Sequence, residues 1–189
     1  IDTLTIPIPG LHNLSNITAA IAASRMVGVS FKEIKKSIKA LELPKKRFEF
    51  RGEINQRIIY DDYAHHPNEI KATISLAKLF IEGKNNNEKQ NGRLVVIFQP
   101  HRYTRVKEFI HEFVKELAKA DVIYLTDIFG AGEKNTDNIN SKVIADLIYK
   151  KNKNVQYFKD NYEIKNKFFK LTKENDFIVN MGAGDCHNL

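Results

Sequence analysis

The sequence predicts an α/β fold, with a mostly parallel sheet flanked by helices and a short helical and edge-strand segment before it. Short apolar runs alternate with segments of helical period along most of the chain, which is typical of parallel sheets with right-handed crossovers. Several of these runs are continuously apolar, as in strands that are buried on both faces. They span residues 58–60, 94–98, 122–125 and 177–180.

Composition bounds the size and the class of protein. With 189 residues, 42% of them hydrophobic and 12 of them Phe, the chain can form one full domain and a piece of another. The net charge of +7 is scattered over Lys- and Asn-rich segments. No helix carries a basic face interleaved with aromatics, so we expect small anionic ligands or simple solubility, and no nucleic-acid partner.

Cysteine usage and hydropathy bear on location. Cys186 is the one cysteine, so an internal disulfide is excluded. No signal peptide or membrane-spanning run is apparent, which predicts a cytoplasmic protein without a membrane partner. The chain begins without Met and in mid-pattern, and we expect it to be a fragment of a longer polypeptide.

The first 44 residues predict a small unit of their own. Over residues 1–9 apolar residues alternate with Thr and Pro, which predicts an edge strand. Asn13 is the expected N-cap of a helix that Gly28 closes. A second helix begins with a capping box at Ser30 and is expected to run through Leu41. The apolar face of the first helix comprises Ile17, Ala20, Ile21 and Val27.

The remaining elements follow one another as strands and helices. Residues 48–50 and 58–60 predict a hairpin. A helix from Pro67 is expected to end at Gly83, and residues 85–92 form an exposed polar loop. Later helices follow at residues 106–117, at residues 143–148 and after the N-cap Asp160, and later strands follow at 94–98, 122–125, 155–158 and 177–180.

Two polar clusters come where apolar strands end. Residues 60–67 carry Asp61, Asp62, Tyr63, His65 and His66 directly after the first of these strands. Ligands of open α/β sheets bind in the crevice outside the carboxyl ends of the strands. The alternative is a solvated turn in which an Asp pair precedes a Pro cap.

The second cluster, residues 99–105, follows the next strand along the chain. Its arginines, Arg102 and Arg105, suit a carboxylate because a guanidinium offers a fork of parallel donors. With His101 it forms a second His-bearing corner on a strand expected to be adjacent, so we expect the two corners to converge. A zinc site on Asp62, His65, His66 and His101 is the alternative, but neighbouring histidines point apart and no zinc motif supports one.

Three further stretches carry weaker signals. His12 and Asn16 lie four residues apart and can share one helix face, although the alternative is that they merely satisfy free N–H groups. The cations at 45–47 suit a phosphate or ribose, or form a solvated linker. The Gly-Ala-Gly of residues 182–184 suits a phosphate loop or a tight turn, and no G-x-x-x-x-G-K-[ST] is present.

Five stretches together resemble the Mur ligase family, in order and over nearly the whole chain. They are residues 10–20 (GLHNLSNITAA), 46–49 (KRFE), 61–70 (DDYAHHPNEI), 99–105 (QPHRYTR) and 182–185 (GAGD). The resemblance implies that residues 1–46 end a central ATP-binding domain. It also implies that residues 47–189 form the Rossmann-like C-terminal ligase domain.

The resemblance also implies an activity. In such enzymes ATP, with Mg²⁺, phosphorylates the lactyl carboxylate of UDP-N-acetylmuramate, and the amine of L-alanine attacks the acyl phosphate. This serves peptidoglycan synthesis, and with it cell shape and division. The alternatives are a related ligase that recycles murein tripeptide, whose members typically lack the QPHRYTR form, and a non-catalytic module that binds a nucleotide or an amino acid.

Residue roles follow from the same resemblance. It implies that the nucleotide is approached by His12, Asn16, Arg47 and Asp62, the last at the ribose. It implies an alanine pocket formed by Tyr63, His65, His101, Arg102 and Arg105, with the arginines on the carboxylate. The phosphate loop, the Mg²⁺ ligands and the other domains of the polypeptide are expected outside this sequence. No catalytic residue is assigned within it, and we expect the chain to fold but to be inactive alone. His66, His111 and Cys186 receive no role.

Overall fold

The computed structural model describes residues 3–85 and 92–186, and the chain divides into two compact units, Ile1–Lys45 and Lys46–Leu189. In the first unit, α1 (Leu11–Met26) and α2 (Phe31–Ile38) share a small core. Its buried members are Ile17, Ile34 and Ile38.

Two expectations for the start of the first unit are wrong. Residues 3–9 form no strand, since Pro7 and Pro9 lack a backbone donor and the described part of this unit contains no partner strand. Asn13 is not the N-cap; Gly10 is, at φ 104°, and Asn13 lies one turn inside the helix, where its Nδ2 donates to the Pro9 carbonyl at 2.7 Å. That side chain is a donor to the turn before the helix, whereas an N-cap side chain accepts the free amides of the helix.

The second helix begins as predicted and ends early. Ser30 accepts from the Glu33 amide while the Glu33 carboxylate accepts from the Ser30 amide, so the capping box is confirmed. The helix stops at Ile38 and does not reach Leu41, which is 38% exposed. The first helix ends at Met26, with Gly28 beyond it at φ 88°, as expected for a glycine that closes a helix.

The second unit is an α/β fold around one six-stranded sheet. Its elements are β1 (Glu49–Ile54), β2 (Arg57–Asp62), α3 (Pro67–Asn85), β3 (Leu94–Phe98), α4 (Tyr103–Leu117), β4 (Val122–Leu125), α5 (Ser141–Tyr149), β5 (Val155–Tyr157), α6 (Asn161–Leu171) and β6 (Phe177–Met181). β1 and β2 form the predicted hairpin, and every other pairing in the sheet is parallel. The predicted mostly parallel sheet is therefore confirmed.

The order of the strands corrects one expectation. The sheet runs β1-β2-β6-β3-β4-β5, so β2 and β3 are not adjacent and β6 lies between them. The final crossover, through α6, returns the chain to the middle of the sheet. Only the long-range pairing of Phe177–Met181 with both neighbours fixes this order.

Helices cover the two faces of the sheet unequally. On one face α3, α4 and α5 pack over a large core that includes Val96 and Phe98, and on the other α6 packs over Val95 and Ile97. All residues of β3 and β4 are buried, as continuous apolar runs predict.

The end of α3 differs from the prediction. α3 passes through Gly83 to Asn85, so the expected stop at Gly83 is wrong: a glycine ends a helix only where it adopts the left-handed conformation. The predicted loop at 85–92 lies almost wholly outside the described residues. Among the described residues, no helix combines the length and apolar character that crossing a membrane requires.

Candidate functional site

The loops that follow β2, β3 and β4 meet at the carboxyl edge of the sheet. The rings of His65 and His101 pack edge to face with centroids 5.7 Å apart, and the Tyr63 ring lies 5.2 Å from that of His65. The convergence expected of the two His-bearing corners is confirmed, although they come from strands on either side of β6.

The corner after β2 is built by capping interactions at the start of α3. One oxygen of Glu69 accepts the amides of His65 and His66, at 3.0 and 3.1 Å. His66 Nδ1 accepts the Asn68 amide at 3.3 Å, and its ring packs against Phe109. Burial would raise the pKa of Glu69, but these amides and the nearby charges of His65 and Arg47 lower it. His66 is thereby occupied as a helix cap, while His65 projects into the site.

The partners of the two imidazoles fix their proton positions. Nδ1 of His65 lies 2.8 Å from the Tyr63 carbonyl oxygen, which only accepts, so Nδ1 carries a proton and the neutral form of this ring has its lone pair on Nε2. Nδ1 of His101 lies 3.4 Å from an Arg105 Nη1 donor, so neutral His101 carries its proton on Nε2. Burial and the charges of His65, Arg105 and Arg102 lower the pKa of His101. The two rings therefore differ in which nitrogen faces a fixed partner: Nδ1 of His65 faces a carbonyl oxygen, and Nδ1 of His101 faces a guanidinium donor.

Two arginines lie beside these rings at the start of α4. Arg102 occupies the N-cap position, and its Nε lies 2.9 Å from Glu133 Oε1. Arg105 lies one turn further, with Nη1 3.5 Å from the His101 carbonyl oxygen. Two guanidinium groups at a helix N-terminus form a site that can bind a carboxylate.

Asp62 has its carboxylate engaged inside the protein. The residue is 7% exposed, and its two oxygens accept the amides of Phe48 and Ala64, each at 2.8 Å. Burial raises the pKa of Asp62, and these hydrogen bonds oppose the shift. It fastens the connector before β1 to the end of β2, and its contact with a ribose stays a prediction.

Arg47 lies on that connector. Its guanidinium stands 5.7 Å from the centroid of the Tyr63 ring and 3.8 Å from Glu69 Oε1, and its side chain is 47% exposed. The residue predicted for the nucleotide is therefore next to a residue predicted for the amino acid.

His12 and Asn16 belong to the first unit. Both are exposed and lie one turn apart on α1. The His12 ring lies close to Gly10, whose φ of 104° is a conformation that favours glycine. Their role at a nucleotide stays a prediction.

Sequence reasoning gave no role to the loop after β4, which contributes two side chains to the site. The Phe129 ring is stacked on His101, with centroids 5.5 Å apart and 13° between the ring planes. Glu133 holds Arg102. The signal was the position of this loop: it follows a third buried strand, and its Gly-x-Gly-Glu run ends at the same edge of the sheet.

Over residues 3–85 and 92–186, no three His, Cys, Asp or Glu side chains are grouped so that they could hold a metal ion. His111 is exposed on α4, and burial raises the pKa of the Cys186 thiol to about 12.

The chain is similar to several known proteins. The family model described as "Mur ligase, glutamate ligase domain" matches residues 46–184. Over the whole chain it is 78% identical to a UDP-N-acetylmuramate–L-alanine ligase of Prochlorococcus marinus subsp. pastoris, and 40% identical to one from a Synechococcus species. It covers 40% of each of those proteins, so it spans about two fifths of their length.

Two solved structures are similar over 97% of the chain. One is the UDP-N-acetylmuramate-alanine ligase of Thermotoga maritima, with a TM-score of 0.74, 27% identity and 37% of that chain covered. The other is the murein peptide ligase of Psychrobacter arcticus, with a TM-score of 0.72, 25% identity and 36% of that chain covered.

Proposed function

Because the chain belongs to the Mur ligase family, we propose that it is the amino-acid-binding part of a longer ATP-dependent ligase that joins L-alanine to the lactyl carboxylate of UDP-N-acetylmuramate. The observation that carries the proposal is the cluster in which His65, from the corner before α3, meets His101 and Arg105 at the start of α4. It brings imidazole groups, which can contact an amine, together with a guanidinium group, which can contact a carboxylate.

Each side chain of the cluster has a place in the proposed reaction. The alanine carboxylate binds Arg102 and Arg105, because a guanidinium fork matches two carboxylate oxygens. The lone pair on His65 Nε2 accepts an N–H of the amine and directs the nitrogen towards the acyl phosphate. Neutral His101 adds a hydrogen-bond donor but no positive charge, so it does not repel the ammonium group of the alanine that binds. Tyr63 forms the side of the pocket next to Arg47.

The nucleotide-facing part of the proposal rests on Arg47. Its half-exposed guanidinium lies beside Tyr63 and 3.8 Å from Glu69 Oε1, where it can also contact an anionic group of ATP, and Asp62 keeps its connector in place. We propose that residues 1–46 are the end of the ATP-binding domain, with His12 and Asn16 at the nucleotide. Mg²⁺ and the ATP phosphates then require residues outside this chain, so the chain alone is expected to be inactive.

The wider setting follows from the substrates. UDP-N-acetylmuramate is a precursor of peptidoglycan, so the enzyme would act in cell-wall synthesis, and through it in cell shape and division. ATP and a nucleotide-linked sugar are substrates of the reducing cytoplasm, where a lone buried thiol such as Cys186 is expected to stay reduced.

A second candidate is a ligase for a murein peptide. The similarity to the Psychrobacter arcticus murein peptide ligase, at nearly the same TM-score, favours keeping it. The two candidates differ in whether the amine belongs to free alanine or to the alanine at the start of a peptide, and in both cases the amino acid next to the amine occupies this cluster. Only free alanine presents its carboxylate directly to the arginines.

The test is an assay of the full-length polypeptide with ATP, Mg²⁺ and UDP-N-acetylmuramate, following phosphate release and the ligated product. L-alanine, glycine, L-serine and murein tripeptide are compared as amine substrates. We expect turnover with alanine to exceed turnover with glycine, which lacks the methyl group, and turnover with serine, which adds a hydroxyl, by about tenfold or more in each case. Turnover with tripeptide alone would replace the proposal by the second candidate. ATP or alanine binding without any product would favour a non-catalytic module.

A further inference from the structure

Glu133 connects the loop after β4 to the first turn of α4. Its Oε1 lies 2.9 Å from Nε of Arg102 and accepts the Thr104 hydroxyl at 2.8 Å, while Oε2 accepts the Thr104 amide at 3.1 Å. The Glu133 side chain is only 17% exposed, and the amide and hydroxyl of Thr104 lower its pKa. It is therefore a carboxylate with several fixed partners.

The start of α4 needs such a partner. Arg102 occupies the N-cap position with φ 70° and ψ 126°, a conformation that is strained for a residue with a side chain, and its own side chain makes no capping hydrogen bond. The first amides of a helix have no partner within the helix. Glu133 supplies one from a residue 29 positions away in the sequence.

The same loop holds the corner by its backbone. The Arg102 amide donates to the Phe129 carbonyl and the Phe129 amide donates to the Pro100 carbonyl, both at 2.8 Å. Next in the loop, Gly130 approaches the Tyr103 ring so closely that a Cβ would lie 2.9 Å from it. With the Phe129 ring stacked on His101, the loop contacts both the imidazole and the guanidinium of the site.

We propose that Glu133 is a positioning residue that holds the guanidinium of Arg102 for the carboxylate of the amino acid, an inference that rests on the function proposed above. An arginine side chain has several rotatable bonds, and fixing Nε leaves the two Nη groups as a free-standing fork for a second carboxylate. Binding then no longer has to order that side chain, so it is tighter. The opposite possibility is that Glu133 competes with the substrate for Arg102, and it predicts the opposite sign in the test.

The test compares Glu133→Gln with a matched control in the full-length enzyme. Glutamine keeps an oxygen that can accept the Thr104 amide but removes the charge facing Arg102. The control is Asp137→Asn, which removes another ion pair between α4 and the same loop, Lys107 Nζ to Asp137 Oδ1 at 2.6 Å, without touching Arg102. We expect Glu133→Gln to raise KM for L-alanine about tenfold or more, since small misplacements of a binding group have large effects. KM for ATP should change less than twofold, and Asp137→Asn should leave both constants unchanged.

Other results have definite meanings. A KM for alanine that is unchanged or lower in Glu133→Gln overturns the positioning role, and a lower value identifies Glu133 as a competitor. Equal increases in the KM for ATP and for alanine also overturn it, because they indicate general loosening of the fold. A wild-type enzyme with no alanine-dependent turnover overturns the proposed function instead, and is recognised before any variant is compared.

A readout independent of turnover completes the test. In ¹⁵N spectra of the full-length protein, the Arg102 Nε–H signal should be protected from solvent exchange in the wild type and in Asp137→Asn. It should be broadened or lost in Glu133→Gln, at a Tm within a few degrees of the wild type. An Arg102 signal that is equally protected in Glu133→Gln contradicts the proposal.

Discussion

His65 and His101 pack edge to face, with ring centroids 5.7 Å apart, across the end of a strand that belongs to neither of them. Each ring is held by its own corner, His65 by the Tyr63 carbonyl and His101 by Arg105. The result is a pair of imidazoles in contact with each other, with opposite kinds of partner at Nδ1. Four predictions follow from this arrangement and from the contacts that support it.

The charge state of His101 makes stability depend on pH. Burial, with His65 and the two arginines, lowers its pKa in the folded protein below the ordinary value of 6.5, so the unfolded chain binds the proton more readily. The contribution of neutral His101 to the free energy of unfolding is then fully present above pH 6.5, and it is lost as the pH falls from 6.5 through the lowered pKa of the folded protein. We expect the free energy of unfolding of the wild type to decrease more between pH 7.5 and 5.5 than that of His101→Gln. Urea titrations at several pH values in that range measure the free energy of unfolding of both proteins. If it falls equally with pH in the two, the lowered pKa of His101 is contradicted.

Arg102 is predicted to bind the alanine carboxylate. In the full-length enzyme Arg102→Ala should raise KM for alanine by roughly 100-fold, corresponding to about 3 kcal/mol for losing one partner of a charged pair, with a smaller change in KM for ATP. Lys107→Ala removes a cation from the exposed side of the same helix and serves as control. If the two variants have the same alanine KM, Arg102 does not bind the carboxylate.

Asp62 is predicted to be structural first. Asp62→Ala leaves the amides of Phe48 and Ala64 without their partners, and we expect a loss of about 2–4 kcal/mol in the free energy of unfolding. The exposed Asp146→Ala should change it by about 0.5 kcal/mol or less. Chemical denaturation of both variants measures this difference in the free energy of unfolding. A stable Asp62→Ala protein with a raised KM for ATP would instead support the predicted contact with ribose.

Gly184 leaves no room for a side chain. A Cβ there would lie 2.4 Å from Gln99 Oε1 and 2.8 Å from Cγ of Phe129, the ring that supports His101. Gly184→Ala should therefore lower the free energy of unfolding by about 1–3 kcal/mol and weaken alanine binding. Gly83→Ala is the control, since no atom lies within 4 Å of a Cβ in that helix, and it should stabilise the protein by about 0.5–1 kcal/mol. Thermal unfolding separates the two, and a neutral Gly184→Ala would show that the loop yields without cost.

The sequence was sufficient for features that depend on neighbours along the chain. Apolar runs located β3 and β4, and local caps located the starts of α2 and α6, where Asp160 accepts the Glu163 amide as predicted. The polar ends of successive strands also indicated the site, because parallel strands bring their carboxyl ends to one edge.

Features that depend on distant partners could not be obtained in this way. The position of β6 between β2 and β3 depends on two long-range pairings. Glu133 becomes part of the site only because its loop folds back onto α4, and nothing in its immediate sequence names Arg102 as its partner. Asn13 was misplaced for a related reason: its residue type suits a cap, but Gly10 alone can adopt φ 104° at the turn.

The placement of β6 also bears on the order in which the protein is made. β2 and β3 are synthesised before β6, and they cannot form one continuous sheet until Phe177–Met181 has been synthesised and inserted between them. The two histidines that face each other across this gap therefore gain their final spacing only after β6 has been inserted. Until then the nascent chain exposes the edges of two apolar strands, a state that chaperones commonly protect.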